Sequence, residues 1–176
     1  MKRATIYLFA VMILTCVVNA QVYDKFKLGL GAGFAYGKSK TYSYQHGGFL
    51  LTLEPAYRLS DNLAIGLRLE ATALYTSDIY SLQGYVSTTI NGQYYLNTDP
   101  VRLFIGAGLG IYAYNETAFG FYPRFGFDYG HFTIALEYNF IPAGSSRYNY
   151  LTNSYITSST YYLGVRIGGF IFGGKN

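Results

Sequence analysis

Residues 53–70 read LEPAYRLSDNLAIGLRLE, and this stretch decides the fold. Leu53, Pro55, Tyr57 and Leu59 share one parity; Glu54, Ala56 and Arg58 share the other. After Ser60-Asp61-Asn62 the alternation resumes, with Leu63, Ile65, Leu67 and Leu69 against Ala64, Gly66, Arg68 and Glu70. Alternation with period two is the mark of a strand with two unlike faces, and a polar triplet between two such runs is a turn. Counting back from that turn sets Leu59 facing Leu63 and Glu54 opposite Arg68. Both acids and both arginines fall on the face without large apolar residues.

The same pattern extends through the chain from Phe26 onward, and no helical period interrupts it. The first segment, FKLGLGAGFAYG from Phe26, carries Phe26, Leu28, Leu30, Ala32, Phe34 and Tyr36 on one face. Its other face is Lys27, Gly29, Gly31, Gly33 and Ala35. The second begins near Gly48 and the third ends near Ala73. The fourth, about Leu82 to Leu96, is diluted on its apolar face by Gly84, Thr88 and Gly92. Asn97-Thr98-Asp99-Pro100 punctuates the chain before a fifth, Val101 to Ile111, with Arg102, Phe104, Gly106, Gly108 and Gly110 on its second face. The sixth sets Phe119, Phe121, Pro123, Phe125 and Phe127 against Gly120, Tyr122, Arg124, Gly126 and Asp128. Gly130-His131 suits a two-residue hairpin. The seventh sets Phe132, Ile134, Leu136, Tyr138 and Phe140 against Thr133, Ala135, Glu137 and Asn139. The eighth sets Tyr161, Leu163, Val165 and Ile167 against Tyr162, Gly164, Arg166 and Gly168.

Two unlike faces fit either a soluble sheet or a membrane barrel, and composition chooses between them. Only 12% of the residues are charged, whereas a soluble domain carries roughly 25%. The polar face is mostly glycine with one or two charges per strand, which suits the narrow bore of a small barrel. The apolar face is free of charge and rich in Phe, Leu, Ile and Tyr, as a lipid-facing band must be. Closure also satisfies every backbone donor in lipid. The expected fold is all-β: an eight-stranded antiparallel up-and-down transmembrane β-barrel. Pro55 and Pro123 each remove a ladder donor within a strand, so bulges or bends are expected there.

The N-terminus has the layout of a signal peptide over residues 1–20, with the barrel occupying 21–176. Lys2 and Arg3 form its positive end, Ile6 to Val18 its apolar run, and Val18-Asn19-Ala20 a small-residue cleavage site before Gln21. A run of about 13 residues is short of the roughly 20 that span a bilayer. Cys16 as a lipoprotein site is the rival reading, disfavoured by Thr15 before it. The only cysteine then leaves with the signal, which excludes a disulfide framework. Removing Lys2 and Arg3 takes the formal charge from +4 to +2, with none of the basic clustering that nucleic acid requires.

With the N-terminus on the periplasmic side, residues 60–62, 97–100 and 130–131 become periplasmic turns. Lys38 to His46, Thr76 to Tyr80, Asn115 to Thr117 and Pro142 to Ser158 become outer connections. Short turns inside and longer loops outside are the habit of outer-membrane barrels of Gram-negative bacteria.

The stretches LEPAYRLSDNLAIGLRLE, GQYYLNTDPVRLFIGAGLGIY and YYLGVRIGGFIF resemble the small eight-stranded outer-membrane proteins of the OmpX, OmpW and OmpA-barrel type. The resemblance covers nearly all of residues 21–176 and implies location in the outer membrane, contact with its lipid, and no cofactor. Phe170 and Phe172 look like the C-terminal signal read by the outer-membrane assembly machinery, although Gly173-Gly174-Lys175-Asn176 follow them. The scaffold hosts many roles, so function stays open.

Gly29-x-Gly31-x-Gly33 and Gly106-x-Gly108-x-Gly110 open no helix, so they read as small inward residues rather than phosphate loops. His46 and His131 fall at opposite ends of the barrel and cannot share a metal. His46 with Ser77 and Asp78 would be the residues for a rim-located lipid acyltransferase. The loop AGSSRYNYLTNSYITSS is rich in Tyr, Ser and Asn, a composition that binding surfaces favour, and is a candidate site for an extracellular ligand. The leading expectation is a non-enzymatic barrel with a structural or surface-interaction role. A transporter of small hydrophobic molecules is the second reading, and would need an apolar path past Leu50, Leu74, Tyr112 and Tyr122. The sharpest expectation concerns the lumen. Glu54 opposite Arg68, Arg124 opposite Glu137, Arg166 near Glu137 and Glu70 just above Arg68 would form one balanced layer. Lys27, Arg58, Arg102 and Asp128 would form another nearer the periplasm.

Overall fold

The computed structural model describes residues 25–39, 45–75, 82–97, 100–114, 116–142, 146–149, 154–157 and 159–173. The expected signal segment, with Cys16, lies outside them. The strands are β1 (Phe26–Ser39), β2 (Gln45–Arg58), β3 (Leu63–Tyr75), β4 (Leu82–Tyr95), β5 (Val101–Tyr114), β6 (Glu116–Tyr129), β7 (Phe132–Ile141), β8 (Ser146–Asn149), β9 (Ser154–Thr157) and β10 (Thr160–Phe172). Eight of them close antiparallel into a barrel in the order β1-β10-β7-β6-β5-β4-β3-β2. β8 and β9 form a separate hairpin within the connection from β7 to β10.

The faces sort as the alternation predicts. Inward residues are buried along every barrel strand, while Phe34, Leu51, Ile90, Phe119 and Phe172 are more than half exposed on the outer wall. A soluble monomer does not leave such a continuous apolar belt to water. Most barrel strands have 13 or 14 residues. Such a strand is roughly 45 Å long, which at a tilt of 35–45° spans the ~25 Å apolar band with turns to spare. The belt and the closed ladder together make this a bilayer-spanning barrel.

Two of the turns expected on the periplasmic side, at 60–62 and 130–131, are tight. Ser60 Oγ accepts from the Leu63 amide at 3.1 Å, and Leu59 N–H donates to Leu63 O at 2.9 Å. Asn62 ties this turn to the next by donating to Tyr95 O at 2.9 Å. Tyr129 pairs with Phe132 around a two-residue turn whose Gly130 has φ +55, a conformation that favours glycine.

Four features depart from the sequence reading. Neither proline makes a bulge. The β2–β3 ladder opens between Leu53↔Leu69 and Ala56↔Gly66, and β6–β7 opens between Phe121↔Phe140 and Arg124↔Glu137, with the register unchanged on either side. Losing one donor interrupts the ladder without inserting a residue. The real bulge is at the C-terminus: Gly29 pairs with Phe170 but Leu28 pairs with Phe172, leaving Ile171 extra. Phe170 keeps the inward parity of Arg166 and Gly168, and the extra residue turns Phe172 outward beside Ile171. The third outer connection is not a loop, because Tyr114 pairs with Glu116 and only Asn115 intervenes. Lastly, the fourth outer connection contains the β8–β9 hairpin, where the polar sequence gave no apolar alternation to announce it.

Candidate functional site

The lumen is filled in three levels, and the middle one is ionic. β2 brings Glu54 inward, β3 brings Arg68 and Glu70, and β6, β7 and β10 bring Arg124, Glu137 and Arg166. All six are at most 4% exposed. Arg124 grips Glu54 with both Nη atoms, at 3.0 and 2.6 Å. Arg166 donates to Glu54 at 2.9 Å and lies 3.3 Å from Glu137. Arg68 makes a two-pronged bond to Glu137, one prong at 2.7 Å, and reaches Glu70 at 3.3 Å and Glu54 at 3.6 Å. Glu70 is completed by the hydroxyls of Thr72 at 2.7 Å and Tyr162 at 2.6 Å. Three carboxylates and three guanidiniums thus share one network, which is how charges persist out of water.

The partners differ from those that register alone suggests. Arg124 sits opposite Glu137 in the ladder but binds Glu54, and Arg68, level with Glu54 by the register on either side of the open stretch, binds Glu137 most closely. Inward side chains point at the barrel axis, and a guanidinium on its long stem reaches across the bore to another strand. Ladder position fixes the height of a residue, and reach chooses its partner. Space for these stems comes from glycine. A Cβ on Gly31 would lie 2.7 Å from Thr52 Oγ1 and 2.9 Å from Arg166 Cδ, and one on Gly108 would lie 2.4 Å from the Tyr122 ring. Tyr122 in turn lies under Arg68, whose guanidinium carbon is 4.2 Å from the ring centroid.

The level next to the short turns is a floor built round Lys27 and Asp128. Lys27 Nζ donates to Asp128 at 3.0 Å and to the Tyr95 hydroxyl at 2.8 Å, and that hydroxyl donates to Asp128 at 2.8 Å. Phe170 covers Lys27 at 4.0 Å from its ring, and Arg102 stacks on Tyr95 at 3.8 Å and donates to the Asp61 carbonyl. Arg58 is buried at the same end. Tyr95 and Phe170 were not legible as floor residues. Parity sets Tyr95 opposite the face of Gly84, Thr88 and Gly92, and Phe170 on the face of Arg166, but it does not show that both meet Lys27.

The outer level is apolar. Leu50, Leu74, Tyr85, Tyr112, Ile141, Tyr162 and Ala35 form one buried cluster, and the Tyr112 hydroxyl donates to Asn139 at 2.8 Å. The other sequence candidates fall largely outside the described residues. Ser77 and Asp78 lie outside the described residues, as does the side chain of His46; for the backbone, His46 pairs with Gly37. His131 is at the opposite end, its Nδ1 3.0 Å from the Phe170 carbonyl. Among the described residues no group of three His, Cys, Asp or Glu side chains is placed to hold a metal ion.

Solved structures with this fold exist. Neisserial surface protein A matches with a TM-score of 0.58 and 17% identity, over 84% of this chain and 97% of that one. The outer membrane protein AlkL, determined in DMPC lipid bilayers, gives 0.50 and 15% over 88% and 94%. The outer membrane protein OprG from Pseudomonas aeruginosa gives 0.49 and 13% over 87% and 100%. No family model and no curated protein matches the sequence. At such identities what the chain shares with Neisserial surface protein A and AlkL is the fold, a small closed barrel.

Proposed function

We propose that the chain is an integral outer-membrane barrel of a Gram-negative bacterium whose lumen is a plug and whose role is structural or lies in contacts at its outer surface. The filled bore carries this reading. Leu50, Leu74, Tyr112 and Tyr162 are at most 2% exposed in the outer half, the charge layer follows below, and Tyr95 and Phe104 close the floor at 0%. A transporter of small hydrophobic molecules would need an open apolar path where Leu50, Leu74 and the tyrosines pack against one another. Below that cluster each of the three carboxylates and three guanidiniums of the charge layer already has an ionic partner.

The wall belongs to outer-membrane lipid. Assembly proceeds through β10, with Ile171 and Phe172 presented outward, and the connection containing β8 and β9 is the surface offered to an extracellular ligand. The role is non-enzymatic; His46, Ser77 and Asp78 receive no support as a rim acyltransferase from any described contact. The test is a comparison on proteoliposomes of ion leakage, uptake of a hydrophobic solute, and lipid acyl exchange. The proposal expects all three to match protein-free vesicles. Uptake alone would establish transport, and acyl exchange alone would establish rim catalysis.

A further inference from the structure

Between the charge layer and the floor is a cavity of about 10 Å3 bounded by Lys27, Glu54, Gln93, Arg124, Arg166 and Phe170. Three polar atoms on these residues lack a hydrogen-bond partner: Gln93 Oε1, Arg124 Nε and Arg166 Nε. Arg166 Nε is 3.3 Å from Glu137 but makes no hydrogen bond to it. Gln93, Arg124 and Arg166 are each at most 4% exposed, so bulk solvent does not satisfy them. A buried polar group left unpaired is penalised, and three on the residues that line one small cavity call for an occupant.

The occupant must donate to a carbonyl oxygen and accept from a guanidinium N–H. A halide cannot donate to Gln93, and a metal cation would face Lys27, Arg124 and Arg166 with only Glu54 in its favour. A space of roughly 10–15 Å3 holds one water, which both donates and accepts. We infer that this cavity is the site of one resident water molecule, donating to Gln93 and accepting from Arg124 or Arg166. It joins the Lys27–Tyr95–Asp128 floor to the charge layer, so that uncharged Gln93 governs the contact between the two ionic levels. The inference concerns the lumen alone and stands whichever surface role the barrel has.

The experiment is water-selective magnetisation transfer by NMR on the full mature barrel in lipid nanodiscs, observed at the arginine Nε–H groups. The inference expects a long-lived water cross-peak at Arg124 or Arg166, lost in Gln93→Leu. Crystals grown in sodium bromide should show no anomalous peak between these residues. Absence of the cross-peak in the unmutated protein means a dry cavity and overturns the inference. So does a bromide peak, which would make it an anion site, or a cross-peak unchanged in a folded Gln93→Leu. Should that variant not fold, the cross-peak of the unmutated protein and the bromide map decide the matter.

Discussion

Glu54→Gln is the most informative perturbation of the lumen. Glu54 is met by three guanidiniums, Arg124 at 2.6 Å, Arg166 at 2.9 Å and Arg68 at 3.6 Å. Neutralising it leaves three arginines sharing Glu70 and Glu137, and turns the new amide NH2 toward a cation. Removing one member of a buried ionic network costs about 3–5 kcal/mol, because the remaining charge is stranded. Arg124→Gln in the same background removes the guanidinium that both prongs of Glu54 held, and should recover about 1–3 kcal/mol of that loss. Glu137→Gln should behave differently. Its partners are Arg68 and Arg166, so Arg124→Gln should rescue it less than Arg68→Gln does, although Arg124 is its ladder neighbour. Urea unfolding of the barrel in vesicles measures all of these, followed by circular dichroism or tyrosine fluorescence, since the chain has 21 Tyr and no Trp. Effects of Glu54→Gln and Arg124→Gln that add within about 0.5 kcal/mol would refute the pairing.

On the outer wall, Leu136→Arg or Leu67→Arg should cost about 2–4 kcal/mol in the same assay, as charges placed near mid-bilayer do. Gly108→Ala should cost about 1–3 kcal/mol by displacing Tyr122, whereas Gly92→Ala, whose Cβ meets nothing within 4 Å, should stay within about 0.5 kcal/mol. Equal costs for the two glycines in unfolding titrations would mean that the lumen is not packed as described. Protease added to intact cells should cut between 142 and 159 and spare Gly130-His131; peptide mapping that finds the reverse would invert the barrel in its membrane.

The hairpin from Leu53 to Glu70 made the architecture legible because one turn fixes both register and parity. Every charge on its strands shares a face, so inward and outward follow without further information. The heights of Glu54, Arg68, Arg124, Glu137 and Arg166 could be counted from turns for the same reason. Their partners could not, because a guanidinium crossing the bore answers to the far wall rather than to its ladder neighbour. β4 was the least distinct strand, since Gly84, Thr88 and Gly92 weaken its outward face; parity still set Gln93 and Tyr95 inward, but not what they meet there. The bulge at Ile171 has no sequence signal in Gly168-Gly169-Phe170-Ile171-Phe172 beyond the glycines themselves. Asn115-Glu116-Thr117 looked like a loop because it is polar, yet Tyr114 and Glu116 close the ladder around a single residue.

The central claim is that side chains close the bore from Tyr162 to Phe170, and ion conductance of the unmutated barrel in planar bilayers tests it most directly. The account predicts traces as flat as those of the bare bilayer at every holding potential that the bilayer survives. Large, stable open steps carried by the folded, unmutated protein would contradict it, because an ion cannot pass a layer in which Glu54, Glu70 and Glu137 are already bound to Arg68, Arg124 and Arg166.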